Sequence, residues 1–261
     1  MNKETWAAFT KTLGRYRSLI DKTAAAVPDL AVLIQRLVDG REGPSYTVDT
    51  PVVYNLALDD IVPESDIKMI LVGDNPGRRE QAAENRRYLV GPSGKIAEKF
   101  FRDNPGLGID FRKNVLILNK TPIHTPRTAE LKELCALGGE QLEDIVRTTQ
   151  RGMAELLGEF WAAFSAETGK PERNPARGQQ GIPVWIIGYS EMKKGGIFEE
   201  YTTTLKTLCN ANPVFKEHLF FYRHFSMNQF AIDLKQQTQP GESLTESLER
   251  IGAAYRERVL G

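Results

Sequence analysis

The chain has 261 residues, and its 34 lysines and arginines balance 34 aspartates and glutamates, giving zero formal charge. That balance removes the simplest argument for a nucleic-acid partner, a strongly basic whole. Two cysteines, Cys135 and Cys209, exclude a disulfide framework or a four-cysteine metal cluster. Hydrophobic residues make up 41%, enough for one sizeable core, and the longest apolar runs are five residues, as in Leu30–Ile34. A membrane span needs roughly 18, and no signal-peptide pattern opens the chain, so a cytoplasmic, monomeric protein with reduced thiols and no membrane contact is expected.

Trp6, Phe9, Leu13, Tyr16, Leu19 and Ile20 recur at three- and four-residue spacing, followed by Leu30, Leu33, Ile34 and Leu37. The first forty residues are therefore predicted to be helical, punctuated by Pro28 and Gly40. The segment from Gly43 to Ile61 is rich in β-branched residues and prolines and takes no firm assignment. Four short apolar runs follow: Met69–Val72, Val115–Leu118, Val184–Ile187 and Leu219–Tyr222. None alternates with polar residues, as expected of strands covered on both faces. Helix-like stretches at Lys95–Arg102, Glu140–Phe164 and Phe198–Asn210 separate them. The pattern predicts a single α/β domain: a three-layer αβα core over 66–235 around a mainly parallel four-stranded sheet. A largely helical N-terminal extension (1–65) and a C-terminal helix (236–261) complete it.

In such sheets ligands bind beyond the carboxyl ends of the strands. The first strand runs into Gly73-Asp74-Asn75-Pro76-Gly77-Arg78, which presents an acid and an amide at the sheet's mouth; a plain turn with local backbone bonds fits equally well. The second ends at Asn119, whose amide offers a donor and an acceptor side by side, followed by Lys120. The third leads to Gly188-Tyr189-Ser190, and the fourth to Arg223-His224-Phe225-Ser226-Met227. The segment Tyr88–Ile96 superficially suggests a phosphate loop. Leu89 and Ile96 stand where that loop needs glycine and Ser or Thr, so a turn entering a helix is expected instead.

Taken in order, these segments resemble the uracil-DNA glycosylase superfamily over about residues 66–235. Gly73-Asp74-Asn75-Pro76-Gly77 is similar to its first motif, and Asp74 aligns with the acid of the thermophilic iron–sulfur branch. Arg87–Gly94 is similar to the Arg-Pro-Phe-Val-Gly-Arg-Ala-Gly segment of that branch. Asn119 resembles the uracil-reading asparagine, and His224-Phe225-Ser226 the closing His-Pro-Ser motif. The chain departs from the pattern at Leu89, where a stacking phenylalanine is usual, at Phe225, and in lacking the cluster cysteines.

The resemblance implies hydrolysis of the N-glycosidic bond of uracil or a related deaminated base in single- or double-stranded DNA, with no metal or cofactor. Asp74 would stabilise the sugar cation and activate water, Asn75 would hold that water, and His224 would bond the departing base. Gly73, Tyr88, Leu89, Asn119 and Ser226 would form the base pocket, with Tyr88 the closer substitute for the missing phenylalanine. Arg78, Arg87, Lys120 and Arg223 would meet phosphates, and Met227 or Tyr189 would wedge into the stack. Seven basic residues against three acidic ones between Arg78 and Arg102 suit such a rim, or a plain solvated face. Two alternatives stand beside this: an inactive relative that binds nucleic acid or a nucleobase, and a hydrolase of free nucleosides.

Overall fold

A computed structural model describes residues 1–166 and 181–261. Four strands, β1 (Met69–Gly73), β2 (Val115–Asn119), β3 (Val184–Ile187) and β4 (Leu219–Tyr222), form one all-parallel sheet in the order β2-β1-β3-β4. Every strand residue is buried, which is why the apolar runs show no alternation. Ile70, Val72, Leu116, Leu118, Val184, Ile186, Leu219 and Phe221 face one hydrophobic cluster. Met69, Leu71, Val115, Ile117, Trp185, Ile187, Phe220 and Tyr222 face the other, so the three-layer αβα architecture follows from the period-two geometry of the strands.

The first face is covered by helices α1 (Lys3–Ala26) and α2 (Leu30–Asp39) from the N-terminal extension. With them lie α5 (Glu130–Ser165), which joins β2 to β3, and α6 (Glu199–Ala211), which lies in the β3–β4 connection. The short helix α3 (Arg78–Gln81) follows the first motif, and α4 (Pro92–Asp103) buries Ala97 and Phe101 on the second face. The short helix α7 (Pro213–Glu217) leads into β4, α8 (Gln229–Gln237) follows it, and α9 (Leu244–Leu260) packs along it. Helix α5 starts ten residues earlier than predicted but breaks at Gly139 (φ 68°), beside the predicted start at Glu140.

The N-terminal helices belong to the layer itself. Phe9 sits 5.7 Å, ring centre to ring centre, from both Phe160 and Phe164 of α5, and the absent side chain at Gly152 admits Leu19. The segment left unassigned from sequence is a strap along the sheet's β2 edge. Val52 bridges Ile123 antiparallel, and the Asn55 amide donates to the Ile117 carbonyl at 2.9 Å, blocking part of an edge that would otherwise invite pairing. Among the described residues, no helix is long and apolar enough to cross a membrane.

Candidate active site

Because all four strands run parallel, Asp74, Asn119, Gly188 and His224 arrive at one edge of the sheet. Two glycines make close approach possible there. A Cβ on Gly73 would come 2.5 Å from Asn119 Oδ1, and one on Gly188, whose φ of +78° already favours glycine, would overlap the Asp74 carboxylate. Asp74 is thus pressed against the end of β3, with 11% of its side chain exposed.

Its partner is the main correction to the sequence expectations. Lys120 is no phosphate contact: it is completely buried, and its Nζ lies 2.6 Å from Asp74 Oδ1 and 2.6 Å from the Ile187 carbonyl. The Gly73 carbonyl lies further off, at 3.5 Å, and the Phe198 ring centre 5.0 Å away. Burial pulls the Lys120 ammonium below its ordinary range, and the negative charges of Asp74 and Glu191 oppose that pull.

Asn119 is 2% exposed, and its Nδ2 is a buried donor with no partner in the structure. Buried amides are nearly always bonded, which sets this donor apart from the other polar groups at the sheet's carboxyl edge. Asn75 has no such freedom. Its amide donates to Thr125 Oγ1 (2.7 Å) and the Ile123 carbonyl (3.2 Å), and its oxygen accepts from Thr128 (3.0 Å). It ties the first motif to the loop after β2 rather than presenting a free amide to water.

Ser226 donates its backbone N–H to His224 Nδ1 at 3.1 Å, and its hydroxyl lies 2.8 Å from the same nitrogen. Nδ1 therefore accepts, and the hydrogen bonding assigns the ring proton to Nε2. Burial lowers the imidazole's affinity for a second proton and Lys120 lowers it further, while Asp74 acts in the opposite sense. The result is a neutral ring with a donor at Nε2. Ser226 thus orients the histidine. Phe225, in place of proline, is buried with its ring 4.5 Å from Phe230.

Two proposed pocket residues lie elsewhere. Tyr88 is in the core: its hydroxyl donates to the Val53 carbonyl (2.8 Å) and meets the Tyr16 hydroxyl (2.9 Å). Leu89 is buried with φ +52°, and its carbonyl fills the space a side chain on Gly94 would need. Both residues are buried, so neither side chain offers an open stacking face.

The basic rim is also thinner than the local count suggested. Arg87 pairs with Asp60, Lys99 and Arg102 with Asp103, and Arg223 lies 3.6 Å from Asp233. Arg78 remains exposed, its guanidinium 4.8 Å from the centre of the Tyr46 ring. Met227 is 78% exposed on a turn where it and Asn228 both have positive φ (51° and 57°), whereas the Tyr189 ring packs tilted against Tyr255, 4.4 Å between centres. Of the two wedge candidates, only Met227 projects freely.

Sequence reasoning missed two supports. His124 is buried between the Pro76 carbonyl (2.7 Å from Nδ1) and the Tyr46 hydroxyl (2.9 Å from Nε2), joining the first motif to the N-terminal strap; burial pushes its pKa down to about 4. Glu80 accepts backbone N–H groups of Gly77, Leu89 and Gly91, stapling the first motif to the inverted turn; burial pushes its carboxyl up to about 7. Its signal was present in the sequence, since a glutamate three residues after Gly77 has capping-box spacing. Both thiols are free, and burial raises each to about 11, which removes them from nucleophilic chemistry near neutral pH.

Compared with protein-family models, curated proteins and solved structures, the chain matches none.

Proposed function

We propose that the chain is a DNA glycosylase that hydrolyses the N-glycosidic bond of uracil or a related deaminated base. The observation that supports this best is the orphan amide of Asn119, sealed at the sheet's carboxyl edge beside Gly73, with Asp74 the next residue. A base with a carbonyl beside a ring N–H satisfies Nδ2 and Oδ1 together. Cytosine presents the opposite pattern and leaves buried groups unpaired, at about 1–3 kcal/mol each. Asp74 sets negative charge where the sugar becomes cationic, and neutral His224 supplies an Nε2 donor for the oxygen that gains charge as the base departs. A base in a duplex must leave the stack to reach this edge, and exposed Met227 is suited to fill the gap.

One observation favours a second reading. Lys120 already neutralises Asp74, and Asn75 has no amide free for water, as in a relative that binds a nucleobase without cleaving it. Incubation with oligonucleotides containing uracil, hypoxanthine or xanthine, followed by alkaline cleavage of abasic sites, separates the two. The glycosylase releases base, and Asp74→Ala and Asn119→Ala lower the release by about a hundredfold or more. Binding without release from any of the three leaves the second reading.

A further inference from the structure

Lys120 touches none of the bonds broken in the proposed hydrolysis, yet it is the buried cation in direct contact with the carboxylate placed at the sugar. We infer that Lys120 gives the site a second activity, imine formation with the aldehyde of an abasic sugar followed by strand cleavage. This rests on the glycosylase reading only for where the sugar sits.

The geometry carries the inference. Nζ is held 2.6 Å from Asp74 Oδ1, so a proton acceptor is already in place, and that carboxylate is 11% exposed where the amine is fully buried. The Ile187 and Gly73 carbonyls and the face of the Phe198 ring also lie against the amine; they cannot accept the proton permanently but help to exclude water, while the Glu191 carboxylate adds negative charge nearby. A lysine in such a dry setting gives up its proton more readily than one in solvent, the property that suits it to addition to carbonyl carbon.

The step balances within the pair. The ammonium passes one proton to Asp74, leaving a neutral amine whose lone pair adds to C1′ of the open-chain sugar. The amine's next proton moves to the new alkoxide and gives a carbinolamine. Asp74 returns its proton to that hydroxyl, which leaves as water, and the nitrogen lone pair closes the C=N bond of an iminium ion. Asp74, ionised again, takes the proton at C2′; the electron pair forms a carbon–carbon double bond and expels the 3′ phosphate. Water then hydrolyses the iminium and restores the Lys120 ammonium, and Asp74 passes the C2′ proton to the expelled phosphate.

The test uses the full chain and an oligonucleotide with a preformed abasic site, so it does not depend on base release. Borohydride reduces an iminium to a stable secondary amine. A covalent protein–DNA band is expected, with the modified peptide mapping to Lys120 by mass spectrometry. Lys120→Arg retains a cation opposite Asp74 but forms no imine near neutral pH, and should lower the yield at least about tenfold. Mapping on the unaltered protein stands even if that variant folds poorly. Absence of the band, or an adduct on an exposed lysine such as Lys193 or Lys194, overturns the inference. A Lys120 adduct from a protein that releases no base would instead sink the glycosylase reading and leave a lyase.

Discussion

The carboxyl edge of the sheet has two unlike halves. Above β2, β1 and β3, the buried polar groups at the centre of the described edge are committed apart from the Asn119 amide: Lys120 to Asp74, Asn75 to Thr125 and Thr128, and Glu80 to the turn at Leu89. Glycines at 73 and 188 let these groups pack without a gap. Above β4, His224 and Ser226 stand on a turn that passes through positive φ at Met227 and Asn228, with Met227 almost fully exposed. The contrast separates two requirements of the proposed chemistry. Groups that stabilise charge work best when fixed beforehand, whereas the group that displaces a base must reach outward. A site can be rigid at the bond that breaks and open where the polymer arrives.

Breaking the closed half at its centre should have the largest effect. Asp74→Asn leaves Lys120 as an uncompensated charge in a fully buried position, and removing one member of such a pair costs about 3–5 kcal/mol. Denaturant unfolding should register that loss, and base release should fall by about a thousandfold. A variant as stable as the parent would mean that the ion pair does not hold this half together.

Glu80 tests the same half through pH. Its carboxyl is raised to about 7 in the folded chain against 4.5 for the free group, so the folded state holds the proton more tightly. Its contribution to stability is complete below pH 4.5 and is lost as pH rises through 7. Glu80→Gln keeps an acceptor oxygen but does not titrate. Relative to the parent, it should gain about 3 kcal/mol between those limits, read from unfolding midpoints across the pH series. Parallel stability curves for the two proteins would show that Glu80 does not titrate with folding.

The two halves were not equally legible in the sequence. Unbroken apolar runs mark strands buried on both faces, and that placed Asp74, Asn119 and His224 on one edge before any coordinates. Lys120 could not be placed that way. A lysine next to a strand end looks like a surface cation until Asp74, 46 residues away, and the Ile187 carbonyl, 67 residues away, converge on it. Tyr88 misled for a related reason: its partner Tyr16 belongs to the N-terminal helices, and the positive φ at Leu89 beside it leaves no local pattern. The basic count between Arg78 and Arg102 leaves out Asp60, 18 residues upstream, and Asp103, the next residue, which take up three of those cations. Local periodicity locates elements, but long-range pairing decides which polar groups remain free.

Asn119 is the exception within the closed half, and its substitution separates function from stability. With Nδ2 unpartnered, Asn119→Ala gives up no native hydrogen bond from that donor, so unfolding stability should change by no more than about 1 kcal/mol. Base release should nevertheless fall about a hundredfold, because the paired contact to the base edge is lost. A stability loss as large as that of Asp74→Asn would show that the amide is structural.

The smallest effect should come from the open half, where it also depends on the substrate. Met227→Ala removes an exposed side chain that contributes little to the core, so folding should be unaffected. If Met227 fills the space left by an extruded base, its loss should slow release from duplex DNA by about tenfold, the size expected when part of the unstacking energy is no longer recovered. Single-stranded DNA has no stack to hold open, and its rate should be unchanged. The comparison of the two substrates is therefore the measurement, since a general disturbance of His224, three residues away, would slow both. Equal slowing would move Met227 from the polymer-facing turn into the support of the histidine, and the division between a fixed half and a reaching half would have to be redrawn at β4.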